Sequence, residues 1–225
     1  MTMLTIDDIP SEYRKGQKDG ENIACLASGV QEAIRDAVGE AGLDALKRFV
    51  QAGFLFRSSE IGRVLIRSST SLQGPLEETA QLVNFAGGSL SASSLVGAVD
   101  LSAAAMRRLY LGPVNPQNEA READVNSFPQ ANQLPPEAKT WLDQTRQAQG
   151  WEVLKGVRDG FVHRWFPLHI TIVLGEETVR HELEIAGVRR SLGEFLNESR
   201  GFVIDRLVAA GLVMDRYARE LGSSL

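Results

Sequence analysis

Residues 151–167 read WEVLKGVRDGFVHRWFP. Val153, Leu154, Val157 and Phe161 recur at three- and four-residue spacing, with Trp165 one turn further on. This is the apolar stripe of an amphipathic helix that Pro167 ends. Arg158, Asp159 and His163 interrupt that stripe within six residues. The chain has three histidines in all, so the placement of one here invites a chemical reading.

Three readings compete. The plainest is that all three residues are solvated helix positions, with His163 favoured by the negative end of the helix dipole near Pro167. A metal site is the second. It lacks another histidine at ligand spacing, because His169 and His181 fall in a different part of the chain. The third is phosphate chemistry: arginine presents a planar fork to phosphate oxygens, and histidine exchanges protons near neutrality. Five steps along a regular helix amount to about 140° of rotation and about 7.5 Å of rise. Arg158 and His163 therefore meet only if Gly160 loosens the helix or if a second chain shares the cleft.

Outward from this stretch the pattern stays helical. Ile23, Leu26, Ala27, Val30, Ala33, Ile34 and Ala37 lie on one helical face. A second helix carries Leu43, Leu46, Phe49, Val50 and Phe54 and extends toward Ile61, Val64 and Leu65. Gly53 and Gly62 leave its length open. Pro75 opens another helix over 76–86, with Glu77 and Glu78 in its first turn. The small residues of AGGSLSASS at 86–94 predict a flexible break, after which Asp100 caps a further helix, LSAAAMRRLYL. Arg107 and Arg108 on it are expected to face solvent.

Five of the eight prolines fall in 112–136, which predicts a long loop. Ala138, Trp141, Leu142 and Thr145 then share a helical face. After Pro167 the period changes to two. HITIVL and TVRHELEI, joined by GEE, predict a β-hairpin at about 169–186. Ser191 and Glu194 form a capping box for a last long helix striped by Leu192, Phe195, Leu196, Phe202, Val203, Leu207, Ala210, Met214 and Tyr217. The expected architecture is mainly α: a flexible segment over 1–20, then one helical-bundle domain over 21–225 with the hairpin inserted before its last helix.

Composition narrows the function. A net charge of −5 argues against a protein that coats nucleic acid along its whole surface, so any such contact is local. The single cysteine, Cys25, allows no internal disulfide. No signal-peptide pattern and no run of about 20 apolar residues is evident, which predicts a cytoplasmic protein without a membrane span.

The arginine, the polar residue after it and the histidine after four intervening residues, late in a helix of an all-α bundle, resemble the HEPN (higher eukaryotes and prokaryotes nucleotide-binding) domain family. Arg158, Asp159 and His163 stand at the family's motif positions, with aspartate where asparagine is common. The resemblance rests on residues 150–166; the helices from 20 to 221 are compatible with it. It implies a bundle of four or five helices and, in many members, a metal-independent endoribonuclease needing no cofactor. Such members are often toxins paired with an antitoxin, or antiviral defence effectors. They commonly work as homodimers with two motif copies lining one cleft that takes RNA as substrate. On this reading Arg158 stabilises the scissile phosphate, His163 transfers the proton and Asp159 orients one of them. Lys155 and Arg164 either steer the phosphate backbone or are solvated helix charges, and Trp151 and Trp165 either stack on bases or belong to the core or a dimer interface. Other members have lost catalysis and serve as binding or assembly modules, which is the alternative here.

Overall fold

The computed structural model describes residues 39–70, 77–112, 124–163, 168–173, 178–185 and 188–222. The expected helix over 21–37, the turn around Pro75 and most of the proline-rich loop lie outside them. The described elements are α1 (Gly39–Thr70), α2 (Glu77–Leu111), α3 (Pro136–Gln147), α4 (Gln149–His163), β1 (Leu168–Val173), β2 (Thr178–Ile185), β3 (Val188–Ser191) and α5 (Leu192–Gly222). A short 3₁₀ turn, Ala131–Gln133, precedes α3.

The break expected at AGGSLSASS is absent: α2 runs unbroken for 35 residues. Its small residues form a packing seam. A Cβ on Gly87 would fall 2.5 Å from the Gly62 carbonyl oxygen, and one on Gly62 would meet the Gly87 carbonyl. The Ser91 hydroxyl donates to the Ser59 carbonyl at 2.8 Å across the same seam. On the other side, a Cβ on Gly88 would meet the Phe161 ring of α4 at 2.6 Å. The helical cost of these glycines is offset by backbones that approach closely. Gly62 against Gly87 and Leu55 against Gly97 set α1 and α2 antiparallel.

Asp100 is accordingly no cap but a mid-helix residue of α2. Gly112, with φ +75°, ends that helix, its N–H donating to the Arg108 carbonyl at 3.1 Å. Arg107 and Arg108 are buried, contrary to the expectation that they face solvent. Arg107 donates to the Gly112 carbonyl and to Gln130 Oε1, at 3.2 and 2.9 Å, and Arg108 Nε lies 3.4 Å from Asp44 of α1. Both arginines fasten the end of α2 to its neighbours.

One hydrophobic core runs from Ala45 to Ala218 through all five helices. The stripe expected on the last helix is the one that packs: Leu192, Phe195, Leu196, Val203, Leu207, Ala210 and Met214 are buried, with Phe202 and Tyr217 at the margin. On α3, Ala138, Trp141, Leu142 and Thr145 are buried as the periodicity predicts. On α1 the expected stripe holds at Leu46 and Phe49, which are buried; beyond them Ala52 and Phe56 face the core, while Phe54 and Ile61 are 60% and 51% exposed.

The hairpin is extended by a third strand. β1 pairs antiparallel with β2, and β2 with β3, in the order β1-β2-β3. In register His169 pairs with Glu182, and His181 with Ile170. Leu183 is fully buried and seats the sheet on the bundle. A buried ionic cluster ties α5 to α1. Arg200 donates to Ser59 Oγ at 2.7 Å, lies 3.2 Å from Glu60 and stacks on Phe56, while Arg63 holds the same Glu60 carboxylate at 2.9 Å.

Within α2, Leu82–Leu111 is long and apolar enough to cross a bilayer, which corrects the expectation that no segment reaches that length. Of its most apolar window 56% is buried inside the bundle, the state of a core helix.

Candidate functional site

Ala148, extended at φ −71° and ψ 122°, separates α3 from α4. The N–H groups of Trp151 and Glu152 return to its carbonyl at 2.9 and 3.2 Å and start the new helix. The bundle buries Trp151, Leu154, Val157, Gly160 and Phe161 of α4. Arg158, Asp159 and His163 fall between these positions and stay accessible, His163 on the exposed side of the last turn.

Gly160 does not loosen the helix, which remains α-helical from Gln149 to His163. Within one chain Arg158 and His163 are therefore about 140° apart around the axis. The Arg158 Nε lies 2.6 Å from Asp159 Oδ1, with the two side chains 28% and 44% exposed. Asp159 thus faces Arg158 of its own chain. Lys155 Nζ lies 3.7 Å from Asp124 Oδ1. Arg164 and Trp165 are outside the described residues. Trp151 is 1% exposed and donates from Nε1 to Asn126 Oδ1 at 2.9 Å, so it is a core residue and offers no face to a base.

Two acidic residues complete the cluster: Asp100, expected from the sequence only as a helix cap, and Asp124. Asp100 of α2 accepts the Val125 N–H at 2.9 Å. Burial pushes its carboxyl up to about 7; the Val125 hydrogen bond works against this, nearby Asp124 adds to it, and Arg158 and Lys155 reduce it. Asp124 has the opposite balance. Burial raises it, but the Asn126 N–H, the Lys155 charge and hydrogen bonds from Ser127 outweigh burial and hold it below the usual carboxylate value. The signal for Asp100 lay in the sequence: it is the one charge in an apolar run, LVGAVDLSAAAM, and such a charge must find partners.

The resulting site is a mixed-charge surface of Lys155, Arg158, Asp100, Asp124 and Asp159, with His163 on a separate face of the same helix end. Among the described residues no group of three or more histidine, cysteine, aspartate or glutamate side chains is arranged to hold a metal ion. A pocket of about 260 Å³ opens near the start of α4, lined by Gln149, Val153, Arg190, Phe195, Glu198 and Phe202. Arg158, Asp159 and His163 do not line it.

The fold is a mainly helical bundle with a small antiparallel sheet before the last helix. No family model matches this chain, and no curated protein or solved structure shows significant similarity to it.

Proposed function

We propose that the protein is a HEPN-like, metal-independent endoribonuclease whose site forms between two copies of the chain. The observation that supports this reading is the division of α4. Its apolar positions are consumed by the core, while Arg158 and His163 are left accessible on different faces of its end. One chain alone does not converge them, and a two-fold pairing brings the arginine of one copy to the histidine of the other.

In this mechanism His163 accepts the proton of a ribose 2′-hydroxyl. The freed oxygen attacks the adjacent phosphorus, and Arg158 balances the growing charge on the phosphoryl oxygens. The bond to the 5′-oxygen breaks, that oxygen takes a proton from water, and a 2′,3′-cyclic phosphate remains. Asp159 holds the Arg158 guanidinium in place until phosphate replaces it.

Purified protein incubated with structured RNA in EDTA should yield fragments with 2′,3′-cyclic ends. Arg158→Ala and His163→Ala should each reduce the rate by at least about 100-fold with the helical circular-dichroism spectrum retained. Cleavage that survives both substitutions would falsify the proposal.

A second reading has its own support. Arg158 already faces a carboxylate at 2.6 Å, and Asp100 and Asp124 add negative charge nearby. That arrangement suits a non-catalytic HEPN-like binding or assembly module, for example the partner of a toxin. RNA retained on a filter but left uncut, or stable oligomers without any effect on RNA, would select it.

A further inference from the structure

The start of α4, β3 and the first turns of α5 enclose the pocket of about 260 Å³. On α5, Phe195, Glu198, Ser199 and Phe202 fall three and four residues apart and so turn one helical face toward it. Gly150 of α4 brings its backbone against the Phe202 ring: a Cβ there would lie 3.3 Å from that ring. Phe195, Phe202 and Val153 form apolar walls. Arg190 enters from β3, which is held in place by the pairing of Arg190 with the fully buried Leu183 of β2.

Three polar features of this pocket are incompletely satisfied by the chain. Ser199 is 6% exposed, and its hydroxyl makes no hydrogen bond among the described residues. A buried hydroxyl without a partner costs free energy, so its place in the wall calls for a ligand group. Arg190 gives only Nη2 to Glu198, 2.8 Å from each carboxylate oxygen, and its Nη1 and Nε have no partner among the described residues. The first bonds of α4 come from Trp151 and Glu152, which leaves the N–H groups of Gln149 and Gly150, at its positive end, without a helical acceptor.

We propose that this pocket binds a free α-amino acid with an apolar side chain. The open edge of Arg190, the Ser199 hydroxyl and the first N–H groups of α4 take the carboxylate. Glu198 takes the ammonium, and the side chain lies among Phe195, Phe202 and Val153. Charge balance selects a zwitterion. Arg190 and Glu198 already neutralise each other, so a lone carboxylate or a lone amine brings one unmatched charge to the pair. A zwitterion matches both, and the contact between Arg190 and Glu198 need not break because the guanidinium offers a second edge. Volume sets the size: about 260 Å³ is below the roughly 300–1,000 Å³ of drug-sized sites. Arg158, Asp159 and His163 do not line the pocket, so the site stands whether or not the chain cleaves RNA.

Titration calorimetry of the full chain with L-phenylalanine and L-leucine tests it. At least one should bind one-to-one with a Kd of about 1 mM or tighter. The matching amine and acid, phenethylamine and hydrocinnamate for phenylalanine or isoamylamine and isocaproate for leucine, each lack one charge and should bind at least about tenfold more weakly. Arg190→Gln and Glu198→Gln should each weaken binding about tenfold or more, and Ser199→Ala about threefold or more. The Arg190 and Glu198 side chains are 40% and 59% exposed, so their variants keep the fold. Weaker or unsaturable binding of both amino acids overturns the site. So does an amine or acid that binds as tightly as its amino acid, or an affinity left unchanged by Arg190→Gln, Glu198→Gln or Ser199→Ala.

Discussion

Arg158 has a carboxylate 2.6 Å from its Nε and is 28% exposed, so under the proposed function an incoming phosphate competes with Asp159 for it. Asp159→Asn should therefore tighten binding of a short RNA by about three- to tenfold, measured at low salt where the charge change is least screened. Unchanged affinity would mean that Arg158 does not meet the phosphate. At Asp100 the chemistry concerns stability. Its carboxyl lies above the ordinary value in the folded chain, so its contribution is full below about pH 4 and is lost as pH rises toward 7. Asp124, held below its ordinary value, acts in the opposite sense and only at more acidic pH. Asp100→Asn should raise stability at pH 8 by about 1–3 kcal/mol in urea unfolding and leave it nearly unchanged at pH 4. The chemical identities of Arg158 and His163 were legible in the sequence. The pairing of Arg158 with Asp159 and the burial of Asp100 were not, because both depend on which rotamer and which neighbouring helix a side chain finds.

The element that departs most from its sequence reading is α2. Glycine and serine at 86–94 lower helix propensity, and in isolation such a stretch favours a loop. Gly87 and Gly88 instead sit where another backbone and an aromatic ring approach from two sides. The helix survives because packing along the seam outweighs propensity. Gly87→Val should cost roughly 1–3 kcal/mol of overpacking beyond any propensity change, read as a lower urea midpoint with an unchanged slope. Gly156 and Gly201 have open space around a Cβ, so alanine at either should be neutral or stabilising. The last helix posed no such conflict: its apolar period and its packed face agree, and it begins at Leu192, directly after Ser191. The third strand was missed because VRRS at 188–191 carries only one apolar residue, and its strand character comes from pairing with β2.

Across the whole molecule, α5 is held to α1 by the Arg200–Glu60–Arg63 cluster, and Arg200 and Glu60 are both under 10% exposed. Arg200→Met leaves Glu60 with one cation in a dry site and should cost about 3–5 kcal/mol in urea unfolding. Dimerisation makes a separate prediction. Arg158→Ala and His163→Ala chains, each inactive alone, should regain about a quarter of the activity when mixed, because half the dimers are mixed and each of those keeps one intact shared site. No recovery on mixing would place arginine and histidine in the same chain's site. The sequence by itself determined the helical class, the two-residue period of the sheet and the packed face of α5. Each of these follows from local period and side-chain type. Only the tertiary structure decided that 77–111 is one helix, that Arg107 and Arg108 are buried and that Asp100 is surrounded by charge. Each of those depends on what a distant segment brings within a few ångströms, which local pattern does not encode.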